Sequence, residues 1–129
     1  MYSASMNSKL RMTPQTIAVL SATRQLGHGT NLTILMEVRK SLPELTATTV
    51  HRITNRLIAN KILAYGPELH GVRLVDANTI PHDHFMCSGC NGIKDIKINP
   101  QIRLSIKKEA GIKVVPNTLT IYGDCDTCV

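Results

Sequence analysis

Residues 46–59 read TATTVHRITNRLIA, and the apolar positions return at helical spacing. Val50, Ile53, Leu57 and Ile58 form one stripe behind Thr46, a good N-cap. Thr48, Thr49, His51, Arg52, Asn55 and Arg56 fall largely on the other faces. A helix of this kind buries one side and offers Thr, His, Arg and Asn outward, side chains that reach phosphates and base edges of a duplex. These six residues are the candidate DNA contacts.

Upstream of this helix, residues 1 to 10 are mostly small and polar and read as an arm. Thr13-Pro14 offers an N-cap and a first-turn proline, and Ile17, Leu20, Arg24 and Leu26 give a partly amphipathic helix ending at Gly27. A further helix is expected from about Asn31 to Ser41, with Leu32, Leu35, Met36 and Val38 apolar and Pro43 as the stop. Downstream the period changes: Ile62–Tyr65 and Val72–Val75 read as strands, with Gly66–Gly71 as the turn. Three helices followed by a hairpin is the order of a winged helix-turn-helix, expected over residues 1–76. The plainer reading is a generic small helical domain with a hairpin.

Residues 77–83 read as a hinge and residues 84–129 as a second domain. Phe85–Cys87 and Ile93–Ile98 suggest strands, Gln101–Ala110 a helix closed by Gly111, and Ile112–Val115 with Thr118–Tyr122 a hairpin around Pro116-Asn117. The whole is therefore α+β, a winged helix-turn-helix followed by a small α/β domain. The second domain has strand edges and an apolar helix face that it can hardly bury alone, so a homodimer interface is expected there.

The chain has 129 residues and a net charge of +6. Residues 1–76 hold nine of the 15 Lys and Arg but four of the nine Asp and Glu, so the basic excess lies in the half that reads as helical. That suits a polyanionic partner. Aromatic residues are 3% of the chain, which leaves no stacking platform for single strands. No apolar run approaches the ~20 residues of a membrane span, and the first residues lack a secretory pattern. A cytoplasmic protein without a membrane partner is expected.

Cys87-Ser88-Gly89-Cys90 and Cys125-Asp126-Thr127-Cys128 are two C-x2-C pairs. In a reducing compartment they read as metal ligands, and two pairs complete the four-thiolate shell that structural Zn2+ favours. A redox pair and an iron–sulfur cluster are the alternatives, although neither pair sits in a thioredoxin-like βαβ context.

His82-Asp83-His84 is the second feature. In an extended segment alternate residues share a face, so His82 and His84 can point to one ion while Asp83 points away. A surface histidine pair is the bland alternative. Asp76 lies in the same connector, Asp95 on the next strand and His28 at a loop between two helices. Three imidazoles and two carboxylates from His28, Asp76, His82, His84 and Asp95 would suit Fe2+ or Mn2+. A site drawing on both domains would couple metal occupancy to DNA binding.

The stretch from His82 to Cys90, together with Tyr122-Gly123-Asp124-Cys125-Asp126-Thr127-Cys128, resembles the ferric uptake regulator (Fur) family. Thr49-Val50-His51-Arg52 looks like that family's recognition-helix signature, and Thr13-Pro14-Gln15 like its start. The resemblance spans nearly the whole chain. It implies structural zinc on Cys87, Cys90, Cys125 and Cys128, and a regulatory metal on His28, Asp76, His82, His84 and Asp95. Aspartate at both acidic positions resembles the peroxide-sensing branch. His51 stands where the family usually has Tyr, and Thr16 where it has Arg, so the operator read is expected to differ. Asn117, Gln101 and Pro81 occupy positions where many iron-sensing members place further ligands, which weakens the expectation of a third metal site.

The expected function is thus a metal-dependent repressor that binds palindromic operator DNA as a dimer and senses peroxide, iron or manganese. If peroxide is sensed, oxidation is expected at His28 or His82. The alternatives are an iron- or zinc-uptake regulator without peroxide sensing, a zinc-stapled dimer with no sensing role, and a metallohydrolase. The last has no nucleophile motif or phosphate loop in support, and neither enzyme activity nor a small-molecule substrate is expected.

Overall fold

A computed structural model describes residues 10 to 128. The expected arm, apart from Leu10, lies outside the described residues; Leu10 packs against the first hydrophobic core. The chain divides into two compact units, one reaching to Thr79 and one beginning at Ile80. Together they give the mixed α+β architecture.

The first unit contains α1 (Pro14–Leu26), β1 (His28–Gly29), α2 (Asn31–Val38), α3 (Ala47–Ala59), β2 (Ala64–Leu69) and β3 (Val72–Asp76). Each helix starts on a threonine. The hydroxyls of Thr13, Thr30 and Thr46 accept from the N–H groups of Thr16, Thr33 and Thr49 at 3.1–3.2 Å, contacts worth about 1 kcal/mol each. Gly27, at φ 77°, ends α1. The core joins Val19 and Leu20 of α1, Ile34, Leu35 and Val38 of α2, and Val50, Ile53 and Leu57 of α3.

Several faces differ from expectation. Ile17, Leu32 and Met36 are exposed, whereas Thr16, Thr23 and Thr54 are buried. A threonine can occupy a helix interface because its hydroxyl bonds back to its own helix, as Thr23 does to the Val19 carbonyl at 2.8 Å. The α2 helix also stops at Val38, short of Ser41. Gly66–Glu68 do not form the hairpin turn. The strands run on to Leu69 and Val72 around a two-residue turn, with His70 at φ 51° and Gly71 at φ 80°. Two successive positive φ values match the twist of a tight hairpin, and Pro67 is accommodated within the register shift between Tyr65 and Glu68.

The element absent from the sequence reading is β1. It pairs antiparallel with β3, placing His28 opposite Asp76 and Gly29 opposite Val75. The sheet order is β1-β3-β2.

The second unit contains β4 (Asp83–Cys87), β5 (Ile93–Ile96), α4 (Pro100–Ala110) and β6 (Thr120–Gly123). Asn99 caps α4 by accepting from the Ile102 N–H at 2.8 Å, and Gly111 closes it in the left-handed region. The expected hairpin around Pro116-Asn117 does not form. Instead β6 runs parallel to β4, on the side opposite β5, so the sheet order is β5-β4-β6. A parallel neighbour needs a crossover, and α4 with the 111–119 loop supplies it.

That loop is anchored by charge. Asp83 is buried and accepts from the N–H groups of Ile98 and Leu119 at 3.0 and 2.9 Å and from the Arg103 guanidinium. Arg103 also donates to the Pro116 and Asn117 carbonyls at 2.6 and 3.4 Å. Burial pushes the Asp83 carboxyl upward, but the Arg103 and backbone hydrogen bonds outweigh it and hold its pKa below the ordinary value. Arg103→Met would strand this carboxylate, and unfolding in urea should show about 3 kcal/mol less stability. Adding Asp83→Asn should restore part of the loss. An unchanged midpoint for the single variant would mean that water replaces the guanidinium.

Candidate metal centres and nucleic-acid face

The two C-x2-C pairs come together at the ends of β4 and β6. Cys87 closes β4, Cys90 lies in the turn that follows, just before Asn91 at φ 60°, and Cys125 and Cys128 lie in the turn after β6. The Sγ separations are 3.3 Å for Cys125–Cys128, 3.5 Å for Cys87–Cys128 and 3.8 Å for Cys90–Cys125. Four sulfurs around Zn2+ at ~2.3 Å would stand ~3.8 Å apart, so the set fits with small adjustments.

Two of the four thiols are held toward thiolate. N–H groups of Cys90 and Cys125 donate to the Cys87 sulfur, at 3.4 and 3.3 Å, and lower its pKa to about 6. The Thr127 hydroxyl lowers that of Cys125. Cys128, crowded by the Cys125 and Cys87 sulfurs, is pushed above the ordinary thiol range. The four are separated in sequence by a complete β5-α4-β6 passage, so an ion held by all of them would staple the second unit.

The histidines and carboxylates are organised within each unit by sheet register. In the first, β1–β3 pairing brings His28 Nε2 within 3.2 Å of Asp76 Oδ2, and Asp76 is buried. Its other oxygen accepts from the Asn78 N–H at 2.8 Å. In the second unit, His82, immediately before β4, and His84 within it lie on one side, with ring centroids 4.3 Å apart, while Asp83 turns toward Arg103. Asp95 of β5 is the cross-strand partner of His84. Its Oδ1 lies 3.4 Å from His82 Nε2 and 3.5 Å from His84 Nε2.

Ligand atoms of His82, His84 and Asp95 thus lie within 4.8 Å of one another. His82 Nδ1 is 2.6 Å from the Ile80 carbonyl, so it carries the proton and Nε2 is left to coordinate. Imidazole nitrogens and carboxylate oxygens form a donor set suited to Fe2+ or Mn2+.

On α3, His51, Arg52, Asn55, Arg56 and Thr48 are exposed and Thr49 is half-buried, opposite the Val50–Ile53–Leu57 stripe. The six candidate contacts thus occupy the helix's outer faces. Two hydrogen-bond partners of His51 escaped the sequence reading: its ring nitrogens face the side chains of Asn31 and Asn55. The pairing with Asn31 joins two helices, and no local pattern marks it. On the wing, the Arg73 guanidinium stacks over Tyr65, 4.8 Å from the ring centroid. No helix among the described residues is long and apolar enough to cross a membrane.

Comparison with known proteins agrees with this architecture. The profile of the Ferric uptake regulator family matches residues 7–122. The ferric uptake regulation protein of Campylobacter jejuni is 31% identical over 107 residues, covering 78% of this chain and 68% of that protein. Among solved structures, the Helicobacter pylori ferric uptake regulator Fur, described with three functional metal-binding sites, superposes with a TM-score of 0.76 at 21% identity, covering 98% of this chain and 87% of that one. The Campylobacter jejuni peroxide stress regulator superposes with a TM-score of 0.68 at 22% identity, covering 99% and 98%.

Proposed function

This chain belongs to the ferric uptake regulator family of metal-responsive transcription regulators, and from that premise we propose that it is a homodimeric repressor of operator DNA governed by a regulatory Fe2+ or Mn2+. The observation that carries the reading is the convergence of His82, His84 and Asp95 in a chain whose recognition helix presents His51, Arg52, Asn55 and Arg56 outward. Structural Zn2+ on Cys87, Cys90, Cys125 and Cys128 holds the second unit. The regulatory ion takes its ligands from His28, Asp76, His82, His84 and Asp95. Occupancy by the ion would favour the conformations in which two recognition helices engage successive major grooves. Arg52 and Arg56 grip phosphate, and Thr48, Thr49, His51 and Asn55 lie toward the bases.

Residues 1–76 form the reading head, 77–83 the hinge and 84–129 the dimerisation domain. The second unit supports the dimer: α4 buries none of its residues in the single chain, and Ile102, Leu104, Val114, Ile121 and Tyr122 are exposed. A duplex partner places the protein in the cytoplasm.

The finer reading is peroxide sensing, for which the Asp76 and Asp95 pair is the support. Bound Fe2+ supplies the one-electron chemistry that reduces peroxide, and His28 and His82 stand in the ligand set as the side chains to be oxidised. The alternative, an iron-uptake regulator without peroxide sensing, has the Campylobacter ferric uptake regulation protein in its favour.

One titration tests both levels. Zinc-loaded protein should bind its promoter duplex with Mn2+ and release it with chelator. The iron-loaded form treated with dilute peroxide should gain one oxygen atom on the His28 or His82 peptide and lose the duplex. Binding that ignores the metal removes the regulator reading. Metal-dependent binding without oxidation leaves plain metal sensing.

A further inference from the structure

The recognition helix carries a hydrogen-bonded relay that begins on the neighbouring helix. Asn31, the first residue of α2, sets its side-chain Nδ2 2.9 Å from His51 Nδ1, and Asn55, one turn along α3, sets its Nδ2 3.2 Å from Nε2. Thr54 Oγ1 lies 2.9 Å from Asn31 Oδ1 and 3.0 Å from the His51 carbonyl oxygen. Thr54 is buried, Asn31 half-buried, and His51 and Asn55 face outward.

Hydrogen-bond inventory restricts what this relay presents. A neutral imidazole has one N–H and one accepting nitrogen, so one of the two amides must offer oxygen and the other nitrogen. The two ends of an asparagine amide are nearly isosteric, and the network decides which way each turns. The Thr54 hydroxyl has one proton. Donated to the His51 carbonyl, it leaves Oγ1 to accept from the Asn31 N–H once that amide is turned end for end; kept on Asn31 Oδ1, it leaves Oγ1 against the His51 carbonyl with no proton between them. In the first case Asn31 turns its oxygen to His51 and accepts from Nδ1–H, and Nε2 accepts one N–H of Asn55. The Asn55 oxygen and its other N–H remain side by side on the outer face, the acceptor and donor pair that matches N6 and N7 of adenine in the major groove.

The reverse arrangement engages the Asn55 oxygen and turns both N–H groups outward, toward the two acceptors of guanine. In either arrangement both His51 nitrogens are used within the protein, so the ring positions its neighbour and does not itself pair with a base.

We propose that Asn31 is a positioning residue which, through His51, aims the Asn55 amide at an adenine of the operator. The proposal deepens the DNA-binding reading above and rests on it. It also links the choice of base to a residue on the helix preceding the recognition helix.

The test is selection from a randomised duplex library by the full, zinc- and manganese-loaded chain. Wild type should enrich an A·T pair in each half-site. Asn55→Ala should relax that pair by roughly tenfold, and Asn31→Leu should relax the same pair. Asn31→Asp offers two acceptors, keeps Nδ1 protonated, and should retain the preference while its charge weakens binding to all sequences alike. Should Asn31→Leu fail to fold, His51→Ala breaks the relay from an exposed position and should relax the same pair.

Retention of the preference in Asn31→Leu or His51→Ala overturns the relay, as does a G·C pair at the Asn55-dependent position. If the loaded wild type enriches no sequence, the regulator reading falls first, before any variant is compared.

Discussion

Zinc removal should unfold the second unit while the first keeps its helices. Residues 80 to 128 bury few apolar side chains, chiefly Met86, Cys87 and Ile98, and α4 buries none of its own. A unit with so little interior cannot offset the conformational entropy of ordering about 50 residues at 1–2 kcal/mol each. Structural zinc sites in small domains are worth about 10–16 kcal/mol at neutral pH, enough to decide whether such a unit folds.

The four sulfurs also join chain segments far apart in sequence, Cys87 and Cys90 with Cys125 and Cys128, so the ion closes the loop that contains β5, α4 and β6. Purified protein should retain about one zinc per chain after gel filtration. Chelation under reducing conditions, or Cys90→Ser, should abolish protection of the β4–β6 amides in hydrogen exchange and yield monomers by light scattering. Amides of α1 and α3 should stay protected, because their core draws on α2 and β3 within the first unit. A zinc-free chain that stays dimeric with a protected β4 would show that the sheet stands without its staple.

The second large effect belongs to the imidazole–carboxylate cluster. His82→Ala and Asp95→Ala should lower duplex affinity in Mn2+ by ~100-fold, to the metal-free level, a coupling at the upper end of what effectors commonly exert. Asp95 is 47% exposed and His82 lies outside the strands, so neither truncation should unfold the chain. Zinc content and dimerisation should be unchanged. The variants should also fail to respond to added metal, whereas a variant that had lost only a phosphate contact would respond from a lower baseline. His84→Ala is a poorer probe because His84 is buried and its loss leaves a cavity. Undiminished, metal-independent DNA binding by both variants would favour a zinc-stapled dimer with no sensing role.

Most of the two-part architecture was legible in the sequence because its signals are local. A threonine cap needs only the N–H three residues on, and the stripe Val50–Ile53–Leu57 needs only the helical period. The C-x2-C pairs announce their chemistry by spacing, and alternation alone put His82 and His84 on one side of β4 with Asp83 on the other. The His82–Asp83–His84 segment also carried a family resemblance.

What the tertiary structure decided is pairing and register. No local pattern shows that His28 sits on a two-residue strand opposite Asp76, that Asp95 lies across from His84, or that β6 joins β4 in parallel where Pro116-Asn117 suggested a hairpin. The same holds for Arg103 against Asp83 and for Asn31 against His51. Hydrophobic period cannot distinguish a hairpin from a crossover, because both bury the same alternate residues; the difference lies in which distant backbone receives the hydrogen bonds. The buried threonines of α1 and α3 follow the same logic, since packing decides whether an apolar side chain faces a neighbour or water, and a hydroxyl that bonds its own helix can take the inner place.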